Sequence, residues 1–277
     1  MVASIALIAV LLSPRPPGDL FLAVAGEVRG SSGREFHTTV WITNLSARPA
    51  SVQATFLERH PLQSPPSSVM IQLAASETKE IPDLLLQLRR PGVTGAIRFQ
   101  SDELIAVSAR IFSTPEGTGM YLNAVPREAG LRQGDEGLLQ GVNYDGVIRQ
   151  RTFFVEMSGR PAGVFVRLRD AQGREIAHDS FLIEPYEQRS IPIAELGRGV
   201  FFRDGSIVVR VTGGSGRVYV NGVQVPAANS DGYFVEMTVT RARDHLGMSN
   251  GEIAIYALTA LAVLAAVFFS RRAPRNG

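Results

Sequence analysis

The chain contains no cysteine. Disulfides, thiolate nucleophiles, cysteine zinc sites and the cysteine-dependent anchor of a bacterial lipoprotein are excluded together. Lysine is nearly absent as well. Lys79 stands alone against many arginines, a bias that reads as the mark of a GC-rich bacterial genome. Histidine is scarce: His37, His60, His178 and His245 are scattered, no H-E-x-x-H occurs, and no metal site is expected. Neither sign of charge accumulates. The net charge is +2, basic and acidic residues are interspersed, and no arginine-rich face with interleaved aromatics argues for nucleic acid as a partner.

Catalytic motifs are missing too. Gly30-Ser-Ser-Gly33 and Gly213-Gly-Ser-Gly216 place serines among glycines, but neither is the G-x-S-x-G of a nucleophile elbow, and both read as loops. Asp135-Glu136-Gly137 lacks the D-x-D-x-D-G pattern of a calcium loop. No catalytic, metal or cofactor residue is therefore assigned, and the chain is expected not to be an enzyme. Paired carboxylates that meet only in the fold are the alternative left open.

What the chain does have is an apolar run near its end. Residues 253–269 are seventeen positions without a charge, among them Ile253, Tyr256, Leu261, Leu264, Phe268 and Phe269. At 1.5 Å per residue they form roughly 25 Å of helix, enough to enter a bilayer as a membrane anchor. Arg271, Arg272 and Arg275 follow at once and, by the positive-inside rule, place the tail 270–277 in the cytoplasm and the rest of the chain outside. Residues 1–17 begin with a short apolar run broken by Pro14, Pro16 and Pro17, which suits a signal peptide. The cut stays unplaced. Ala23-Val24-Ala25 resembles a cleavage site, yet residues 20–28 read equally well as a first strand.

Between these ends runs an internal repeat with a period of about 110 residues. Ser46-Ala-Arg-Pro-Ala50 returns as Ser158-Gly-Arg-Pro-Ala162, and Glu77-Thr-Lys-Glu-Ile-Pro82 as Glu187-Gln-Arg-Ser-Ile-Pro192. Gly95-Ala-Ile97 returns as Gly205-Ser-Ile207, and Gly119-Met-Tyr121 as Gly232-Tyr-Phe234. Within each copy, apolar and polar residues alternate with period two, as in residues 38–43, 51–56, 152–155 and 164–168. Asp145-Gly146, Asp204-Gly205, Asn221-Gly222 and Asp231-Gly232 read as hairpin turns. Short helices are expected over residues 82–88 and 192–196, with Pro82 and Pro192 at their first positions. Trp41, the only tryptophan, is expected in the core between two sheets rather than on an exposed carbohydrate platform. Phe153-Phe154 and Phe201-Phe202 each put one ring on either face of a strand, where one could join the two copies or form a partner site.

These patterns predict an all-β protein: two tandem antiparallel β-sandwich (Ig-like) domains followed by a single C-terminal transmembrane helix. The boundaries are a signal peptide at 1–17, modules at 18–130 and 131–238, a connector at 239–252, the helix at 253–269 and a basic tail at 270–277. The strand Thr39 to Asn44, the turn Pro49-Ala50, the step Ile81-Pro82 and the Gly95-led strand resemble tandem β-sandwich modules of exported bacterial envelope proteins. The second copy departs from that pattern, with Glu156 where asparagine is expected. The resemblance implies architecture and localisation, since such modules carry no assigned chemistry. The expected function is binding, scaffolding or adhesion at the outer side of the cytoplasmic membrane. Its expected partners are membrane lipid for the helix and a protein or glycan for the modules. An envelope-glycan enzyme and a cytoplasmic tail-anchored scaffold are the alternatives.

Overall fold

Period-two alternation dominates the chain between its ends, and nearly every run of it forms a strand. The computed structural model describes residues 18–29, 35–59, 67–114, 119–226 and 232–240, all within one compact unit. The expected leader 1–17, the span 253–269 with all its anchor residues, and Arg271, Arg272 and Arg275 lie outside the described residues. Among the described residues no helix is long and apolar enough to cross a membrane.

The first half runs β1 (Gly18–Gly26), β2 (Val28–Arg29), β3 (Glu35–Asn44), β4 (Ala50–Glu58), β5 (Ser67–Leu73) and β6 (Thr78–Ile81). The short helix α1 (Leu84–Gln87) follows, then β7 (Thr94–Ser101), β8 (Ile105–Thr114), β9 (Met120–Asn123) and β10 (Val125–Pro126). One sheet has the order β10-β1-β7-β4-β5; in the other, β3 lies between β8-β9 on one side and β2 and β6 on the other. The second half has β11 (Glu136–Tyr144), β12 (Ile148–Glu156), β13 (Ala162–Arg169), β14 (Glu175–Ile183), β15 (Gln188–Pro192) and α2 (Ile193–Leu196). It ends with β16 (Phe202–Gly214), β17 (Val218–Pro226), β18 (Tyr233–Glu236) and β19 (Thr238–Thr240). Its sheets are β14-β13-β16-β11-β19 and β15-β12-β17-β18. Read from the other edge, the first of these repeats the order of the β10-to-β5 sheet strand for strand, and the second repeats β6-β3-β8-β9. Each half is an antiparallel β-sandwich.

The repeated sequence elements occupy equivalent places. Gly95 and Gly205 both sit where a strand passes tightly over its neighbour: a Cβ would lie 2.4 Å from the Leu57 carbonyl oxygen at Gly95 and 2.5 Å from the Arg169 carbonyl oxygen at Gly205. The turn after β5 and the turn after β14 are also alike. The Glu77 carboxylate accepts the Ala74 N–H, and the Glu187 carboxylate accepts the Glu184 N–H. Ser76 and Tyr186, which precede these glutamates, are both left-handed, at φ 58.

Two expected turns are strand instead. Asn221 and Gly222 lie inside β17, paired with Phe153 and Thr152 of β12, and Asn221 is fully buried. Asp204 and Gly205 lie inside β16, where register shifts against β11 and the left-handed Asp204 (φ 52) mark an irregularity rather than a chain reversal. Asp145-Gly146 is the turn expected, linking β11 to β12. The short helices form where expected, although Pro192 caps α2 instead of entering it and Pro82 lies one residue before the cap of α1.

β1 is buried on both faces from Phe21 to Gly26, which a strand of a single two-layer sandwich cannot be. One face belongs to the core of the first half. The other packs on β12 and β17 of the second. Gln188 donates through Nε2 to the Ala23 carbonyl at 2.7 Å, and Arg98 lies 4.8 Å over the Tyr186 ring while paired with Asp19 at 2.8 Å. Arg127 grips the other oxygen of Asp19. Ala23-Val24-Ala25 is thus the middle of a strand that serves both halves, and cleavage there would remove it.

Candidate functional site

In an antiparallel sheet, residues directly opposite one another share a face, so the pairing registers fix what each sheet shows outward. On β3, Val40 and Ile42 point into the core and are fully buried. Trp41 has the other parity. It is therefore on the outer face, partly exposed, and the expected core position is corrected: the core was already filled by its two neighbours. Trp41 lies opposite Ser108 of β8, which lies opposite Asn123 of β9; on its other side is Glu80 of β6. The next row is Thr39, Arg110 and Tyr121, and beyond it His37 faces Phe112.

These side chains form an aromatic ledge. The Trp41 and Tyr121 rings have centroids 6.2 Å apart and planes inclined by 25°. Arg110 lies 5.0 Å from the centroid of Phe112 and 5.9 Å from that of Tyr121, so one guanidinium braces two rings. His37 is 5.8 Å from Phe112 and 3.5 Å from the Asp83 carboxylate. Tyr121 is 64% exposed. Sequence reasoning missed Arg110, Phe112 and Tyr121. The alternation of Ser108, Arg110 and Phe112 put them on one face of β8, but only the register brings that face beside Trp41.

The equivalent face of the second half is closed. Phe153 occupies the place of Trp41, Val155 that of Thr43, Tyr219 that of Ala106 and Val223 that of Arg110. All four are buried, with Phe153 and Tyr219 each 7% exposed. β1 of the first half covers this face, so Phe153 joins the two copies, one of the roles its position allowed. Burial pushes the Tyr219 hydroxyl up to about 12, with the Glu236 carboxylate as a smaller cause. Asn221 sits in the same joint, and neither atom of its amide has a protein hydrogen-bond partner. Of the second aromatic pair, Phe201 is 66% exposed and stacks on Tyr144 at 4.9 Å.

A polar cleft of about 450 Å³ opens between β14, β15 and α2, lined in part by His178, Asp179, Phe181, Arg189, Ser190 and Glu195. Several of its side chains are engaged with neighbours. Arg189 pairs with buried Glu187 at 3.2 Å and covers the Phe181 ring at 4.6 Å. His178 meets Glu175 at 2.6 Å, a contact that, with the Arg167 charge, holds Glu175 below the usual carboxylate range. Ser190 accepts from Arg151 at 2.9 Å. Burial pushes the Arg151 guanidinium below its ordinary value; Arg59 adds to this and Glu195 opposes it. Among the described residues no group of three histidines or carboxylates is placed to hold a metal. His60 and His245 lie outside them.

No family model matches the chain, and no curated protein matches it. Among solved structures it is similar to a Thermotoga maritima protein known by the number 1070, at 17% identity and a TM-score of 0.33 over 40% of this chain and 94% of that one. It is also similar to a lectin from Pleurotus ostreatus solved with GalNAc, at 11% identity and a TM-score of 0.21 over 83% of this chain and 80% of that one. Likenesses this slight carry nothing about what this chain does.

Proposed function

We propose that the chain is a non-enzymatic binding protein of a bacterial cell envelope. Residues 253–269 would hold it in the cytoplasmic membrane, residues 270–277 would face the cytoplasm, and two tandem Ig-like modules, 18–130 and 131–238, would be displayed outside after a leader within 1–17. The observation that carries the binding role is the contrast between equivalent faces. One is sealed within the chain by Phe153, Val155, Tyr219 and Val223, while the other leaves Tyr121 largely and Trp41 partly exposed. Exposed aromatics clustered on one sheet face are a common form of interaction site. The resemblance to exported modules and the charge-free run before Arg271 and Arg272 support the placement.

The test is protease accessibility on intact spheroplasts, with a tag at the C-terminus and an antibody to the modules. Digestion of the modules with survival of the tagged tail is the expected result. Protection of the modules until the membrane is opened would overturn the placement and favour a cytoplasmic tail-anchored scaffold. One observation favours a glycan-acting enzyme as the second reading: Asp179 and Glu195 both line the polar cleft of the second half. Loss of a glycan-hydrolysing activity in both Asp179→Asn and Glu195→Gln would establish it.

A further inference from the structure

We propose that the open face of β3, β8 and β9 binds a saccharide, with sugar rings lying against Tyr121 and Trp41. This names the ligand class for the binding protein proposed above and rests on that reading. The internal joint supplies the standard of comparison. It shows what this fold presents when it docks protein on this face: Phe153, Val155, Tyr219 and Val223, mostly apolar side chains in adjoining rows around the single amide of Asn221, all buried. The open face is the same surface one repeat earlier, and it has lost that character. At the equivalent places it shows Trp41, Thr43, Ala106 and Arg110, so that Thr43 and Arg110 stand where the joint has Val155 and Val223, while Ser108 keeps the polar place of Asn221.

A second protein face closing over this ledge would strip water from Thr43, Ser108, Asn123 and Glu80 without providing for each of them, which is costly for every group left unpaired. A sugar ring suits the pattern. Its C–H face is apolar and flat, so it covers an aromatic ring, while its equatorial hydroxyls project sideways to donors and acceptors. Every ring of the ledge has such a group beside it: Ser108 and Glu80 flank Trp41, and Arg110 flanks Tyr121 and Phe112. The Trp41 and Tyr121 rings stack with centroids 6.2 Å apart, so a sugar laid on the largely exposed Tyr121 also lies beside Trp41. The Arg110 contacts and the cross-strand packing hold the rings in place before a ligand arrives, which lowers the cost of binding. A nucleic acid fits less well, because Glu80 sits beside Trp41 where a phosphate chain would pass.

Trp41 is the only tryptophan, so its fluorescence reports on this ledge alone. The experiment titrates the full chain in detergent with cellohexaose, xylohexaose, chitohexaose and mannohexaose, following Trp41 emission, and repeats any saturable change by calorimetry. The expected result is saturable binding of at least one glycan. Tyr121→Ala should then weaken it at least tenfold, and Phe201→Ala, at an exposed ring in the other half, should leave it unchanged. Because Tyr121 is largely exposed, its truncation spares the core, and circular dichroism checks that the variant folds. Absence of any Trp41 response to all four glycans overturns the proposal, as does an affinity unchanged by Tyr121→Ala. Self-association by sedimentation that shifts Trp41 emission without glycan also overturns it, making a second copy the occupant. Failure of the spheroplast test leaves this result standing, so the two readings fall separately.

Discussion

The two halves share a strand order but not a way of closing the turn that follows β3 and β12. In the first, buried Asn44 donates to the Arg48 and Ala74 carbonyls at 2.7 and 2.8 Å and accepts the Ser46 N–H at 2.9 Å. In the second, buried Glu156 only accepts. It takes the N–H groups of Ser158, Gly159, Arg160, Tyr186 and Arg217, and the Ser158 hydroxyl. The cause is the residue between. Gly159, at φ 73 where the first half has Ala47, rotates its peptides so that N–H groups point inward, and a Cβ there would meet the Tyr186 ring at 2.8 Å. An inward ring of donors needs a carboxylate; inward carbonyls need an amide. Tyr186 is the residue that Arg98 of the first half covers, so the substitution of Glu for Asn goes with the making of the joint. The halves differ most where one of them must receive the other.

The largest effect expected from this comparison follows from removing each turn's central side chain. Glu156→Ala would leave several buried N–H groups without an acceptor and should cost roughly 3–5 kcal/mol, against about 2 kcal/mol for Asn44→Ala, which orphans two carbonyls and one N–H. Urea denaturation of the two variants measures the difference. Equal losses would mean that the second turn is held by its backbone alone and that the contrast drawn between Asn44 and Glu156 has no energetic content.

The joint itself gives the next prediction. Tyr219 titrates normally near 10 when unfolded and is pushed up to about 12 by burial, with the Glu236 carboxylate as a smaller cause. The folded value is raised, so its contribution to stability is whole below pH 10 and is lost as the pH rises toward 12. Across that window the loss amounts to roughly 2–3 kcal/mol. Tyr219→Phe should flatten this alkaline loss in denaturation midpoints measured along a pH series. An unchanged loss in the variant would show that the joint opens before Tyr219 ionises, and the sealed face would then differ less from the open one than its burial suggests.

Much of this architecture was legible in the sequence, and the reasons for the misses are physical. Period two gave the strands, and the recurrence of Ser46-Ala-Arg-Pro-Ala50 and Glu77 to Pro82 one repeat later marked positions that prove equivalent in the strand order. Trp41 could also have been placed. In Thr39-Val-Trp-Ile-Thr43 it shares its parity with two threonines, and Val40 and Ile42 claim the core. Aromatic bulk argued for burial and outweighed parity, wrongly. Asn221-Gly222 has the composition of a hairpin turn, but local preference yields when nine residues of β17 find a full partner in β12. What no local pattern could give is which element covers an outer face. Phe153-Phe-Val155 is apolar on both faces of its strand where Thr39 to Thr43 alternates, but that β1 supplies the cover is set by long-range packing.

The smallest effect expected concerns the polar residue that this packing traps. Asn221 takes the place that Ser108 holds on the open face, yet it is fully buried and its amide has no protein partner. An amide in that position is carried at a cost, because both its donor and its acceptor were hydrated in the unfolded chain. Asn221→Leu, which keeps the same branched outline and number of side-chain heavy atoms, should therefore stabilise the protein by about 1 kcal/mol, seen as a higher urea midpoint with an unchanged slope. The matching change on the open face, Ser108→Leu, should leave the midpoint within about 0.5 kcal/mol of the parent, as surface substitutions do. Destabilisation by Asn221→Leu would mean that the joint holds a hydrated amide it depends on. The two outer faces would then both be polar surfaces in contact with water, one narrow and one wide, and the line between sealed and open would move from chemistry to geometry.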